Sequence, residues 1–188
     1  GRVGHVRDER DRPTIRRDRR LGLVSLVRGQ TSERTGTRSS CLVALDDEAA
    51  RKTTGLLFDR MFIRHWDAWN DGRLNRVFAA KLGGDGMLKA ATLLSGGIAG
   101  DIPSKPFGDL SDFAWSADGK QVAMSVRQAN REEPWNTNFD IWLVNADGTG
   151  ARNLTAGNPA WDAGPVFSTD GKTLYYRAMK RPGFEADR

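Results

Sequence analysis

The chain has 188 residues and a mass of 20.8 kDa, with 38% hydrophobic and 28% charged positions, which suits one ordinary core and is too short for two large catalytic units. The longest early apolar stretch, Leu21 to Val27, is interrupted by Gly22 and Ser25 and falls well below the roughly 20 residues that cross a bilayer, so no membrane span is expected. The single cysteine, Cys41, excludes an internal disulfide and a multi-cysteine zinc site, and the formal charge is +5.

That charge sits at one end. From Gly1 to Ser40 there are eleven arginines and no lysine against five acids, a net +6, whereas the other 148 residues carry 18 basic and 19 acidic side chains and net −1. The chain therefore reads as a basic arm over 1–45, irregular or disordered because it has few apolar residues to offset ordering entropy, followed by a domain over 46–188. The arginine bias and the opening glycine also fit an incomplete or frame-disturbed reading of a GC-rich gene. Such an arm could follow phosphates, but it has no aromatic residue to stack on bases, so nucleic acid ranks last among partners.

Next in chain order, Asp46 to Thr53 reads as a short helix, with acids in its first turn and bases in its last. Leu57 to Trp66 reads as a strand, and Arg73 to Leu94 as the outer half of a β-sheet unit whose own first turn is not legible upstream. A repeat then emerges: Phe113-Ala114-Trp115-Ser116-Ala117-Asp118-Gly119-Lys120 aligns with Pro165-Val166-Phe167-Ser168-Thr169-Asp170-Gly171-Lys172, 52 residues later. Asp-Gly between apolar runs marks a tight hairpin, because glycine accepts the positive φ such turns demand. Asp118-Gly119, Asp147-Gly148 and Asp170-Gly171 are therefore expected turn tips. Strands are expected near 113–116, 121–127, 139–145 and 151–155, with Val122, Met124 and Val126 on one buried face of the second and both faces of the third buried. Four strands per unit of about 50 residues is the spacing of a β-propeller. The fold expected is all-β: a partial propeller of two to three four-stranded antiparallel blades, with parts at 57–95, 113–155 and 165–188. Blades hide their faces against neighbours, so an incomplete set leaves apolar faces and strand edges bare and favours association.

Longer motifs add a resemblance. Arg64-His65-Trp66-Asp67-Ala68-Trp69-Asn70-Asp71-Gly72-Arg73, Trp135-Asn136-Thr137-Asn138-Phe139-Asp140-Ile141-Trp142, Asn158-Pro159-Ala160-Trp161-Asp162 and Ala178 to Arg188 resemble the N-terminal propeller of the prolyl oligopeptidase family of serine peptidases. The likeness is to bacterial dipeptidyl aminopeptidases and acylaminoacyl peptidases, and the blade turns are shared with TolB-like propellers. The resemblance implies a propeller that gates an α/β-hydrolase domain removing dipeptides or acylated residues from peptide N-termini. It also implies export for many relatives, although no leader is legible here. The chain departs from the pattern in one respect: it has no Gly-x-Ser-x-Gly elbow, and its only histidines are His5 and His65. No triad can be assigned, and the expected product is inactive alone, lacking the hydrolase domain and meeting peptide substrates only in the full enzyme. The alternative is a TolB-like propeller that binds proteins without catalysis.

Candidate site residues are few. The resemblance implies acidic side chains that hold a substrate amine, for which Glu132, Glu133 and Glu185 are candidates beside the blander reading of solvated loop acids. His65 beside Asp67 tempts a catalytic reading, but His65 reads as structural, since neighbouring strand residues point to opposite faces. Asn145 to Gly150 lacks the flanking acids of a calcium loop, and Gly171-Lys172-Thr173 has Val166 where a phosphate loop needs glycine. No cofactor or metal is expected. Tryptophans 66, 69, 115 and 142 read as core, whereas Trp135 and Trp161, in Asn- and Pro-rich loops, are the candidates for a ligand platform.

Overall fold

Alternating apolar residues bounded by Asp-Gly turns give strands throughout. The computed structural model describes residues 15–18, 23–31, 52, 54–55 and 63–183, the last without 66, 70–72, 86, 106–107 and 129–131. In chain order the strands are β1 (Ile15–Asp18), β2 (Leu23–Thr31), β3 (Arg64–His65), β4 (Ala68–Trp69), β5 (Arg73–Leu82), β6 (Leu88–Leu93), β7 (Gly100–Asp101), β8 (Phe113–Trp115), β9 (Gln121–Gln128), β10 (Phe139–Asn145), β11 (Arg152–Asn153), β12 (Asp162–Phe167) and β13 (Leu174–Ala178). Two single-turn 3-10 segments, Leu110–Asp112 and Glu133–Trp135, complete the described secondary structure, so the fold is all-β and antiparallel as expected.

Besides the small β3-β4 hairpin, three sheets follow one another among the described residues. The first has the order β1-β2-β5-β6; the second runs β9-β10-β11, with β7 and β8 end to end along the other edge of β9; the third is the β12-β13 hairpin. Two segments of the arm thus form strands, Leu23–Thr31 pairing with β5 from Leu23↔Lys81 to Thr31↔Arg73. The reason is local: Leu23, Val24, Leu26 and Val27 make that stretch the arm's one β-forming run, and β5 offers a long edge to pair with. The four-strand order of the first sheet is completed by residues that the charge pattern hides. The expected helix at 46–53, the start of the strand from Leu57, and Glu185 lie outside the described residues, apart from Lys52.

The turns form as expected, and the repeat is atomic. Ser116 Oγ donates to Asp118 Oδ1 (2.7 Å), Asp118 Oδ1 accepts the Lys120 amide (3.0 Å), and Ser116 Oγ accepts the Gln121 amide (2.9 Å). Ser168, Asp170, Lys172 and Thr173 repeat the set at 2.6, 3.1 and 2.9 Å. Gly119 and Gly171 sit at φ 70° and 72°, where a side chain would be strained. At Asp147 the Thr149 amide and hydroxyl both donate to Oδ1, at 2.9 and 2.6 Å, closing the β10–β11 hairpin.

One core joins the first two sheets: Val77 and Ala79 of β5, then Leu94, Ile98 and Ile102, meet Phe113, Val122, Met124, Val126 and Val144, with Trp115 and Trp142 packed against them. Each fully buried large side chain there stabilises by about 1.5–3 kcal/mol. β9 corrects the one-face expectation. All residues from Val122 to Arg127 are buried, because β12 covers its other face and the Ser125 hydroxyl donates to the Asp162 carbonyl at 2.8 Å.

Candidate functional site

One recess is a cleft of about 470 Å³ where residues from six stretches of chain converge, lined by His65, Ser104, Lys105, Asp112, Arg127 and Trp161 among others. Pairing places them. Arg127 sits on β9 opposite both Phe139 and Asp101, which carries its guanidinium toward the loop between β7 and β8. Gly108 lets that loop fold tightly: a Cβ there would stand 2.3 Å from the Ser104 nitrogen.

Arg127 organises the recess. Its Nη1 donates to His65 Nδ1 at 3.3 Å and reaches the Lys105 carbonyl at 3.5 Å, while Nε lies 3.7 Å from Glu133 Oε1 in an ion pair with both side chains almost wholly buried. Because a guanidinium only donates, His65 Nδ1 must accept, so this geometry suits the imidazole with its proton on Nε2. That is not the arrangement of a catalytic base backed by a carboxylate.

Two carboxylates hold the loop. Asp101 accepts the amides of Asn75 and Lys105, the latter at 2.6 Å, and burial raises its pKa against the opposing pull of Lys105 and Arg127. Asp112 accepts the Ser104 amide at 3.4 Å, and its pKa is pushed up to about 6, chiefly by burial and further by Asp109 and Asp101. The apolar side of the cleft is aromatic: Phe139 and Trp161 meet edge to face at 6.3 Å, and the Arg177 guanidinium lies 5.3 Å over the Trp161 ring. The recess can seat a small group with an apolar part and hydrogen-bonding ends; among the described residues no hydrogen bond joins its serine, Ser104, to its histidine, His65.

The candidates separate. Trp161 enters the cleft and Trp135 stands exposed, while Trp115 and Trp142 are core as expected. Trp69 is exposed rather than core, since the β3-β4 hairpin forms a two-stranded sheet of its own. Trp66 lies outside the described residues. Glu133 is drawn to Arg127 beside the cleft, and Glu132 is exposed at the start of the same 3-10 segment. Arg127, Asp101 and Asp112 were missed by sequence reasoning. A charged residue inside the apolar run Val122 to Val126 and beyond was the one available signal for Arg127.

No family model matches the chain. It is similar to the dipeptidyl-peptidase 5 of Porphyromonas gingivalis, with 31% identity over 137 residues, and to that of Porphyromonas endodontalis, with 33%; each alignment covers 72% of this chain and 20% of the relative. A probable dipeptidyl-peptidase 5 of Emericella nidulans is 31% identical over 184 residues, 89% of this chain and 24% of that protein. The chain is thus related over most of its length to dipeptidyl-peptidases, and it spans about a fifth to a quarter of theirs.

Proposed function

We propose that the chain supplies propeller blades of a dipeptidyl peptidase, covering and gating an α/β-hydrolase domain that is not among these 188 residues and helping to dock the peptide's N-terminus, with no hydrolysis by these residues alone. The observation that carries this is the Ser-x-Asp-Gly-Lys network, repeated bond for bond in successive antiparallel sheets of a chain related to dipeptidyl-peptidases. Supporting this reading, the first sheet, with the β3-β4 hairpin inserted between β2 and β5, and the β8-β9-β10-β11 path each order four antiparallel strands as a blade would, and β12-β13 would be the inner half of the next. Docking of a free amine by Glu132, Glu133 or Glu185 is part of this reading, with the Arg127 cleft and Trp161 at hand for the peptide's apolar and carbonyl groups.

The test compares two proteins on dipeptidyl-coumarin substrates: the chain alone, and the chain continued through the downstream reading frame. Release by the second only, lost when the serine of its Gly-x-Ser-x-Gly is replaced, is the expected result. Turnover by the chain alone, or a continuation made only of further Ser-x-Asp-Gly-Lys blades, overturns it; the latter favours the protein-binding propeller.

A further inference from the structure

Behind the cleft, the junction of the second and third sheets holds two buried carboxylates with no ion-pair partner among the described residues. Phe139 and Trp161 form a parallel bridge, and their rings meet on one side of it. Side chains alternate along a strand, so the next residues, Asp140 and Asp162, project together to the other side. Both are almost wholly buried, at 2% and 0% exposure. Asp140 Oδ2 accepts the amides of Gln128 and Asn153, the latter at 2.7 Å, and Asp162 Oδ1 accepts the Asn158 amide at 2.8 Å. These neutral donors fix each carboxylate by one oxygen. The remaining oxygens, Asp140 Oδ1 and Asp162 Oδ2, are buried with no direct hydrogen-bond partner, and neither has Asn138 Oδ1, two residues before Asp140 and just ahead of β10, where its carbonyl accepts the amide of the same Gln128 that bonds Asp140. The charges acting on Asp162 include the Asp140 carboxylate and no basic side chain; burial raises its pKa and the Asp140 charge adds to this, while hydrogen bonding from the Thr155 hydroxyl and the Asn158 side-chain amide opposes.

Two like charges out of water and side by side are costly unless something positive lies between them. Three oxygens from two stretches of chain, with no sulfur or imidazole, suit a hard cation that accepts irregular geometry. We propose that Asn138, Asp140 and Asp162 form a binding site for a divalent cation of the calcium class, which ties the second sheet to the third. The residue pattern carries no signal for it, since the three residues lie in no metal-loop spacing.

The test is thermal melting of the whole chain after EDTA treatment, titrated with calcium chloride and separately with terbium(III), whose luminescence is excited through tryptophan. The expected result is a saturable rise in Tm of several degrees and saturable luminescence. Both persist in Asp147→Asn, a change at an exposed turn carboxylate, are lost in Asp140→Asn and Asp162→Asn, and show at least tenfold weaker affinity in Asn138→Ala. No calcium-dependent rise in the unaltered chain overturns the proposal, including the case where Tm responds only to a fall in pH and the pair shares a proton. An equal rise in Asp162→Asn also overturns it. If the aspartate variants do not fold, unchanged affinity in Asn138→Ala does so instead.

Discussion

The hairpins β8-β9 and β12-β13 share one turn chemistry and differ in almost everything else. Their Ser-x-Asp-Gly-Lys networks match bond for bond, yet Val122, Met124 and Val126 of β9 are at 0% exposure while Tyr175 of β13 is at 62% and Val166 of β12 at 59%. The difference lies in the neighbours. β9 has β7, β8 and β10 beside it and β12 across its face, whereas β13 pairs with β12 alone among the described residues. A hairpin can be specified within a dozen residues, but burial is conferred by other sheets.

Three paired substitutions and one single one probe this contrast, each read by urea denaturation. The largest effect is expected at the arginines: Arg127→Met strands Glu133 in a buried setting and costs about 3–5 kcal/mol, whereas Arg177→Met loses a stacking contact on Trp161 worth about 0.5–1 kcal/mol. Equal losses would show that the third sheet is as closed as the second. Met124→Ala is next, at about 2–5 kcal/mol, against no more than about 0.5 kcal/mol for Val166→Ala.

Asp112→Asn sharpens the comparison by pH. The folded carboxyl holds its proton up to about pH 6, above its ordinary value of 3.8, so the folded state binds more protons between those values and stability falls as pH rises through them. The penalty is complete above pH 6. Asparagine keeps an acceptor for the Ser104 amide and carries no charge, so the variant should gain up to about 3 kcal/mol at pH 7.5 and nothing at pH 3. A gain that is the same at both pH values would mean burial of charge is not the cause. The smallest effect is expected at the turn serines, with Ser116→Ala costing about 1–2 kcal/mol and Ser168→Ala about 0.5 kcal/mol, since the first bond set is partly buried and the second exposed.

Much of the fold was legible. The Asp-Gly tips and the strands at 113–115, 121–128 and 139–145 fall where alternation and turn residues put them, because hydrophobic period and positive-φ glycine are local properties. The first sheet was half hidden: the arginines around Leu23 to Val27 masked a strand that forms once β5 is there to pair with it. The cleft was legible only at Trp161 and Glu133.

By itself the sequence determined the turns and the repeat, since each Ser-x-Asp-Gly-Lys network closes within six residues and requires no distant partner. The tertiary structure alone decided which charges are buried together. His65 and Arg127 stand 62 positions apart, Asp140 and Asp162 lie in different sheets, and both faces of β9 are dry only because β12 returns across it. Such contacts depend on how sheets stack, and no spacing along a single strand records that.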